Sequence, residues 1–156
     1  MVAYFHGLES DPAGPKLKFL KDRYGDVYAP KMEYLKNTNL FHDTYEQLKN
    51  QKIDIIAGSS MGGYFAYYMA KKLGVETILF NPALPYRTFD PNVDTSGKRT
   101  PQQHIILGAA DDVITPDDTT DWLMKHESRS DYGIQWGNHG HQTPLDVFIK
   151  AFKKYG

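Results

Sequence analysis

Ile53 to Ala66 reads IDIIAGSSMGGYFA, a β-branched apolar run that breaks at Gly58-Ser59-Ser60-Met61-Gly62 and continues as a helical pattern. This is the spacing of a nucleophile elbow with Ser60 at its apex. A strand that turns sharply into a helix strains the serine backbone, and glycine two residues to either side avoids collision. The hydroxyl then projects from the sheet edge. The helix starting behind it turns the Met61 N–H and the positive end of its dipole toward an anion forming near Ser60. With 13 glycines and 6 serines in 156 residues, about 0.04 such matches arise by chance, so a mere Gly-rich βα turn is the weaker reading. The chemistry these residues suit is nucleophilic acyl transfer.

A serine nucleophile needs a base and an acid. Gly137-Asn138-His139-Gly140-His141 offers two histidines after the last apolar run. His139, a short turn beyond the strand, is the expected base, and His141 is expected to shape the site or cap the final helix. Asp111, in Gly108-Ala109-Ala110-Asp111-Asp112, stands where a carboxylate would orient the imidazole. Asp112, Asp117, Asp118 and Asp121 crowd around it, but no spacing among them matches a calcium loop, so no metal is expected. Asp117 and Asp118 are expected to cap the next helix. Near the N-terminus, His6-Gly7-Leu8 either lets the Leu8 N–H join that of Met61 in an oxyanion hole or simply ends a strand. His42, His104 and His126 read as structural or solvated. The order Ser60, Asp111, His139 is that of the α/β-hydrolase fold among triad-bearing folds.

The elements that must position these residues alternate between short apolar runs and helical stretches, the pattern of a doubly wound, mostly parallel sheet in three layers. Strands are predicted at Val2–Phe5, Asp26–Ala29, Ile53–Ala57, Glu76–Phe80, His104–Leu107 and Tyr132–Trp136. Helices are predicted at Pro15–Tyr24, Leu40–Asn50 with Thr38 or Asn39 as N-cap, Met61–Leu73 ended by Gly74, and Pro144–Lys154. Pro85 to Pro101 has no period and reads as a surface excursion bordering the site. With 40% hydrophobic residues, the 156 residues suit a single domain, 1–156.

A formal charge of −1 with mixed signs gives no electrostatic reason to bind nucleic acid or an anionic membrane. Cysteine is absent, which excludes disulfides and thiolate–metal sites. Neither a basic leader nor an apolar run of membrane-spanning length is visible, so the cytoplasm is the expected compartment.

The segments YFHGLESDPAGPK, AGSSMGGYFA, FNPALPYRTF, GAADDVITP and GNHGH follow one another across nearly the whole chain. In this the sequence resembles the small YqiA-like esterases of the UPF0227 group. The resemblance implies a minimal α/β-hydrolase with the triad on Ser60, Asp111 and His139, and Asn81-Pro82-Ala83 lining the cleft beside Ser60. The sequence departs from the family pattern at His141-Gln142, where the family has an aromatic residue, and at Glu9 and Asp11, where it is often polar but uncharged. The implied substrate is a small-molecule carboxylic ester or thioester, with short acyl chains expected because so short a chain has little lid. No cofactor is expected.

Tyr64, Tyr86, Phe89 and Val113 are candidates for an acyl pocket, although such aromatics more often pack a core. Arg87, Lys98 and Arg99 could meet an anionic group such as a coenzyme A phosphate, solvated loop charges being the commoner case. Two other functions fit the same fold: a hydrolase-like scaffold that binds without turnover, and a serine hydrolase directed at amide or C–C bonds.

Overall fold

The computed structural model describes residues 1–8, 10–86, 91, 93 and 100–156. Their strands are β1 (Val2–Phe5), β2 (Val27–Tyr28), β3 (Ile55–Ser59), β4 (Thr77–Phe80), β5 (Gln103–Gly108) and β6 (Tyr132–Gly137). The helices are α1 (Pro15–Tyr24), α2 (Leu40–Leu48), α3 (Met61–Leu73), α4 (Pro116–His126) and α5 (Leu145–Tyr155). The strands form one sheet in the order β2-β1-β3-β4-β5-β6, and every described pair is parallel.

A parallel sheet must be covered on both faces, and the alternation of side chains along its strands divides the core accordingly. Val2, Tyr4, Ile55, Ala57, Ile78, Phe80 and Ile106 pack with Leu20 of α1 and Phe148, Ala151 and Phe152 of α5. Ala3, Phe5, Ile56, Leu79, Ile105 and Leu107 pack with α2, α3 and α4 through Phe41, Leu48, Phe65, Met69 and Leu123. Phe80 and Phe148 stack with ring centroids 4.8 Å apart. Burying each such ring contributes roughly 1.5–3 kcal/mol.

The helix faces also fix where the site lies. From β1 the chain crosses through α1 to β2 at one edge, then returns through α2 on the opposite face to β3, on the other flank of β1. Right-handed crossovers require this change of face when the direction of winding reverses. The loops leaving β1 and β3 therefore part, and a crevice opens between them at the carboxyl edge of the sheet. His6-Gly7-Leu8 leaves β1 there and Ser60 leaves β3.

Several boundaries differ from expectation. β3 lies two residues beyond Ile53–Ala57, because its pairing with β1 runs from Val2↔Ile55 to Phe5↔Gly58. At the sheet edge β2 keeps only two residues. The N-cap of α4 is Thr115, whose side chain accepts from the Asp118 N–H at 3.3 Å, and not Asp117 or Asp118, which occupy the first turn. Pro116 explains the shift: proline suits the first helical position and so leaves the cap to the residue before it.

Candidate active site

Ser60 connects β3 to α3 with φ 54° and ψ −117°. A non-glycine residue pays strain for that backbone and holds it only when its surroundings insist. Ser60 N–H donates to Phe80 O at 2.9 Å, while its carbonyl accepts from Tyr64 N and Ala83 N, both at 3.0 Å. The flanking glycines allow the close approach: a Cβ on Gly58 would strike the Gly62 carbonyl, and one on Gly62 would strike the carbonyls of Phe5 and His6.

The side chain facing Ser60 is His141, with Nε2 at 3.0 Å from Ser60 Oγ. Its Nδ1 lies 2.9 Å from Asp111 Oδ2 and 3.1 Å from Oδ1. Asp111 is buried, and its Oδ1 also accepts from the N–H groups of Val113 and Ile114, each at 2.9 Å. An ionised carboxylate only accepts, so the hydrogen on His141 belongs on Nδ1, leaving the Nε2 lone pair for the serine hydroxyl. Such a relay can take the proton from Ser60 as its oxygen attacks an electrophilic carbon.

The structure thus corrects the expected histidine, bringing Ser60 and Asp111 together with His141 rather than His139. The His139 ring is buried, with Nδ1 against Gly140 O at 2.8 Å and Nε2 without a partner among the described residues. It lies against the backbone of Gly108 and Gly137, where a Cβ on either glycine would collide with it. Reach is the physical reason. β6 lies three strands from β3, roughly 14 Å away at the usual strand spacing, and the chain crosses that gap stepwise. His139 O accepts from Ala110 N, after β5, at 3.1 Å. Gly140 O and His141 O accept from Asn81 Nδ2, after β4, at 3.1 and 2.8 Å. Two residues past β6 the chain is still over β5, whereas four past it a side chain reaches the loop after β3.

Asn81 is buried with φ 43°. Its Oδ1 also accepts from Gly108 N at 2.7 Å, so one side chain joins the ends of β4 and β5 to the histidine loop. His6 has a comparable structural part. Its Nε2 accepts from Met32 N at 2.8 Å, which puts its hydrogen on Nδ1, and that donates to Gly7 O at 2.7 Å. Tyr34 Oη donates to His6 O at 2.6 Å, and burial pushes the Tyr34 hydroxyl above its ordinary range, keeping it a donor. His6 therefore fixes the loop leading to Leu8.

A cleft of about 780 Å³ opens beside Ser60 and His141; Tyr4, Leu8, Lys16 and Val113 are among the residues lining it. Of the described acyl-pocket candidates, Tyr64, Tyr86 and Val113, only Val113 borders it. Tyr64 is buried in the α3 core, and Tyr86 lies by α4, its hydroxyl 3.3 Å from Asp118. Glu9, Arg87, Phe89, Lys98 and Arg99 lie outside the described residues. Among the described residues no group of three or more His, Cys, Asp or Glu could hold a metal ion, and no helix is long and apolar enough to cross a membrane.

A model of the uncharacterised protein family UPF0227 matches residues 1–116. No curated protein sequence matches the chain. Among solved structures, esterase PE8 is similar with a TM-score of 0.66 at 17% identity, over 99% of this chain and 92% of its own. Est1E from Butyrivibrio proteoclasticus has a TM-score of 0.66 at 12% identity, over 97% and 84%. An α/β serine hydrolase without lid from Xanthomonas campestris has a TM-score of 0.60 at 15% identity, over 99% and 78%. At these identities the likeness is one of fold, and the fold is that of the α/β hydrolases.

Proposed function

The chain belongs to the UPF0227 family, and on that footing we propose that it is a serine esterase or thioesterase. The observation that carries this reading is the hydrogen-bonded chain from Asp111 through His141 to Ser60 at an elbow with positive φ. The esterases of the same fold lend it support.

In the proposed reaction His141 Nε2 takes the Ser60 proton as Oγ bonds to the carbonyl carbon of a carboxylic ester or thioester. Asp111 holds the imidazole and stabilises its charged form. The oxyanion is assigned to the backbone amides of Leu8, which borders the cleft, and Met61, which opens α3. Loss of one such donor typically costs on the order of a hundredfold to a thousandfold in turnover. Collapse of the intermediate breaks the bond to the alcohol or thiol, which leaves with the proton from His141. Water then gives a proton to His141 and attacks the acyl-enzyme, releasing the acid and restoring Ser60. Short acyl chains are the proposed substrates.

The test combines a fluorophosphonate probe with p-nitrophenyl acetate, butyrate and longer esters. We expect one probe per chain on the Ser60 peptide, p-nitrophenol release by the unmodified protein, and neither in Ser60→Ala. A folded protein that takes no probe and turns over no ester, nor a matched amide, would be a binding scaffold instead.

A further inference from the structure

Among the described residues lining the cleft, Lys16 is the one lysine or arginine. It is the second residue of α1, and its ammonium lies 5.5 Å from the centre of the Phe148 ring. Phe148 is buried and packs edge-on against Tyr4, which lines the cleft as Lys16 does. No described carboxylate pairs with it. Asp11 turns Oδ1 to the Ala13 N–H at 2.7 Å, and the neighbouring Lys18, by contrast, pairs with Asp22 on the exposed face of α1. Burial holds the Lys16 ammonium below the ordinary lysine value of 10.5. Among the described residues, what this charge has in return for its lost hydration is a ring face.

The rest of the cleft suits what such a charge would hold. Leu8, Val113 and Leu145 are partly exposed apolar side chains on its walls. A methylene chain can lie against them with one end at Ser60 and the other beyond reach of the reaction. We propose that Lys16 recognises an anionic group: the preferred substrate is an ester or thioester whose acyl chain ends in a carboxylate, held by the Lys16 ammonium while Ser60 attacks the carbonyl at the other end. The inference rests on the serine-hydrolase reading and names its substrate class.

The mono-p-nitrophenyl esters of adipic and suberic acid, each compared with its neutral methyl-capped counterpart, test it in the wild type, Lys16→Met and Lys16→Arg, with Ser60→Ala as the blank. The readout is the ratio of kcat/KM for acid over capped ester within each protein, which partial loss of folded material does not alter. We expect a ratio of about ten or more for at least one chain length in the wild type, expressed mainly in KM. It should fall to one or below in Lys16→Met, persist in Lys16→Arg and shrink as salt rises. A wild-type ratio near one at both lengths, or one that Lys16→Met leaves unchanged, overturns the proposal while Ser60-dependent turnover of the capped esters keeps the hydrolase reading. No Ser60-dependent turnover of any ester overturns both.

Discussion

Asn81 Nδ2 donates to two successive carbonyls of the histidine loop, those of Gly140 and His141, and Asn81 Oδ1 takes the Gly108 N–H. Its positive φ is one that asparagine tolerates and glycine adopts freely. Asn81→Gly therefore removes the hydrogen bonds without adding strain. We expect a folded protein of lower thermal stability, with kcat for an ester reduced roughly 10- to 100-fold by misplacement of His141 and KM little changed. Wild-type kcat in that variant would remove Asn81 from the positioning of the base. The Asn-Pro-Ala segment was visible in the sequence, but as a cleft lining; what Asn81 joins depends on β4 lying beside β5 and beneath the histidine loop, which no local spacing reveals. His141 escaped for the same reason. Two histidines two residues apart are equivalent as residue types, and only the distance to be spanned separates them.

At the scale of elements, local signals served well where they were backbone-chemical. Pro15 opens α1, Gly74 closes α3 in the left-handed conformation with φ 74°, and the helix between residues 61 and 73 has the expected bounds. Strand ends moved because pairing, not composition, decides them, as β3 illustrates against β1. One contact between elements carries a pH dependence. His104 of β5 stacks on Tyr155 of α5 with centroids 4.0 Å apart, and burial holds its imidazole below the ordinary value of 6.5 despite Glu76 at 3.5 Å. The folded chain thus keeps His104 neutral at pH values where the unfolded chain has protonated it. Its contribution is fully present above about pH 6.5 and is lost as pH falls from there toward the folded-state value. Urea midpoints measured between pH 8 and 5 should show a steeper acid-side loss in the wild type than in His104→Phe, which keeps the ring stack without the titration. Parallel curves would mean that His104 is not a source of the dependence.

For the whole molecule, the reversal of winding between β1 and β3 creates the crevice, and the remaining strands set how far each loop of the candidate site must travel. Chain order alone supported the α/β-hydrolase class, because a serine, an aspartate and a histidine follow, in that order, the ends of β3, β5 and β6. The lateral path from β6 back to β3 belongs to the folded sheet. It crosses β5 through His139 and β4 through Gly140 and His141, leaving the first histidine packed over glycines and the second facing Ser60. The proposed chemistry therefore turns on which histidine is the base. The most direct measurement is kcat on p-nitrophenyl butyrate for wild type, His141→Ala and His139→Gln, each normalised to folded protein. The predicted result is a loss on the order of a thousandfold or more in His141→Ala and near wild-type kcat in His139→Gln, with any cost there appearing in thermal stability. Full activity in His141→Ala together with an inactive, folded His139→Gln would contradict it.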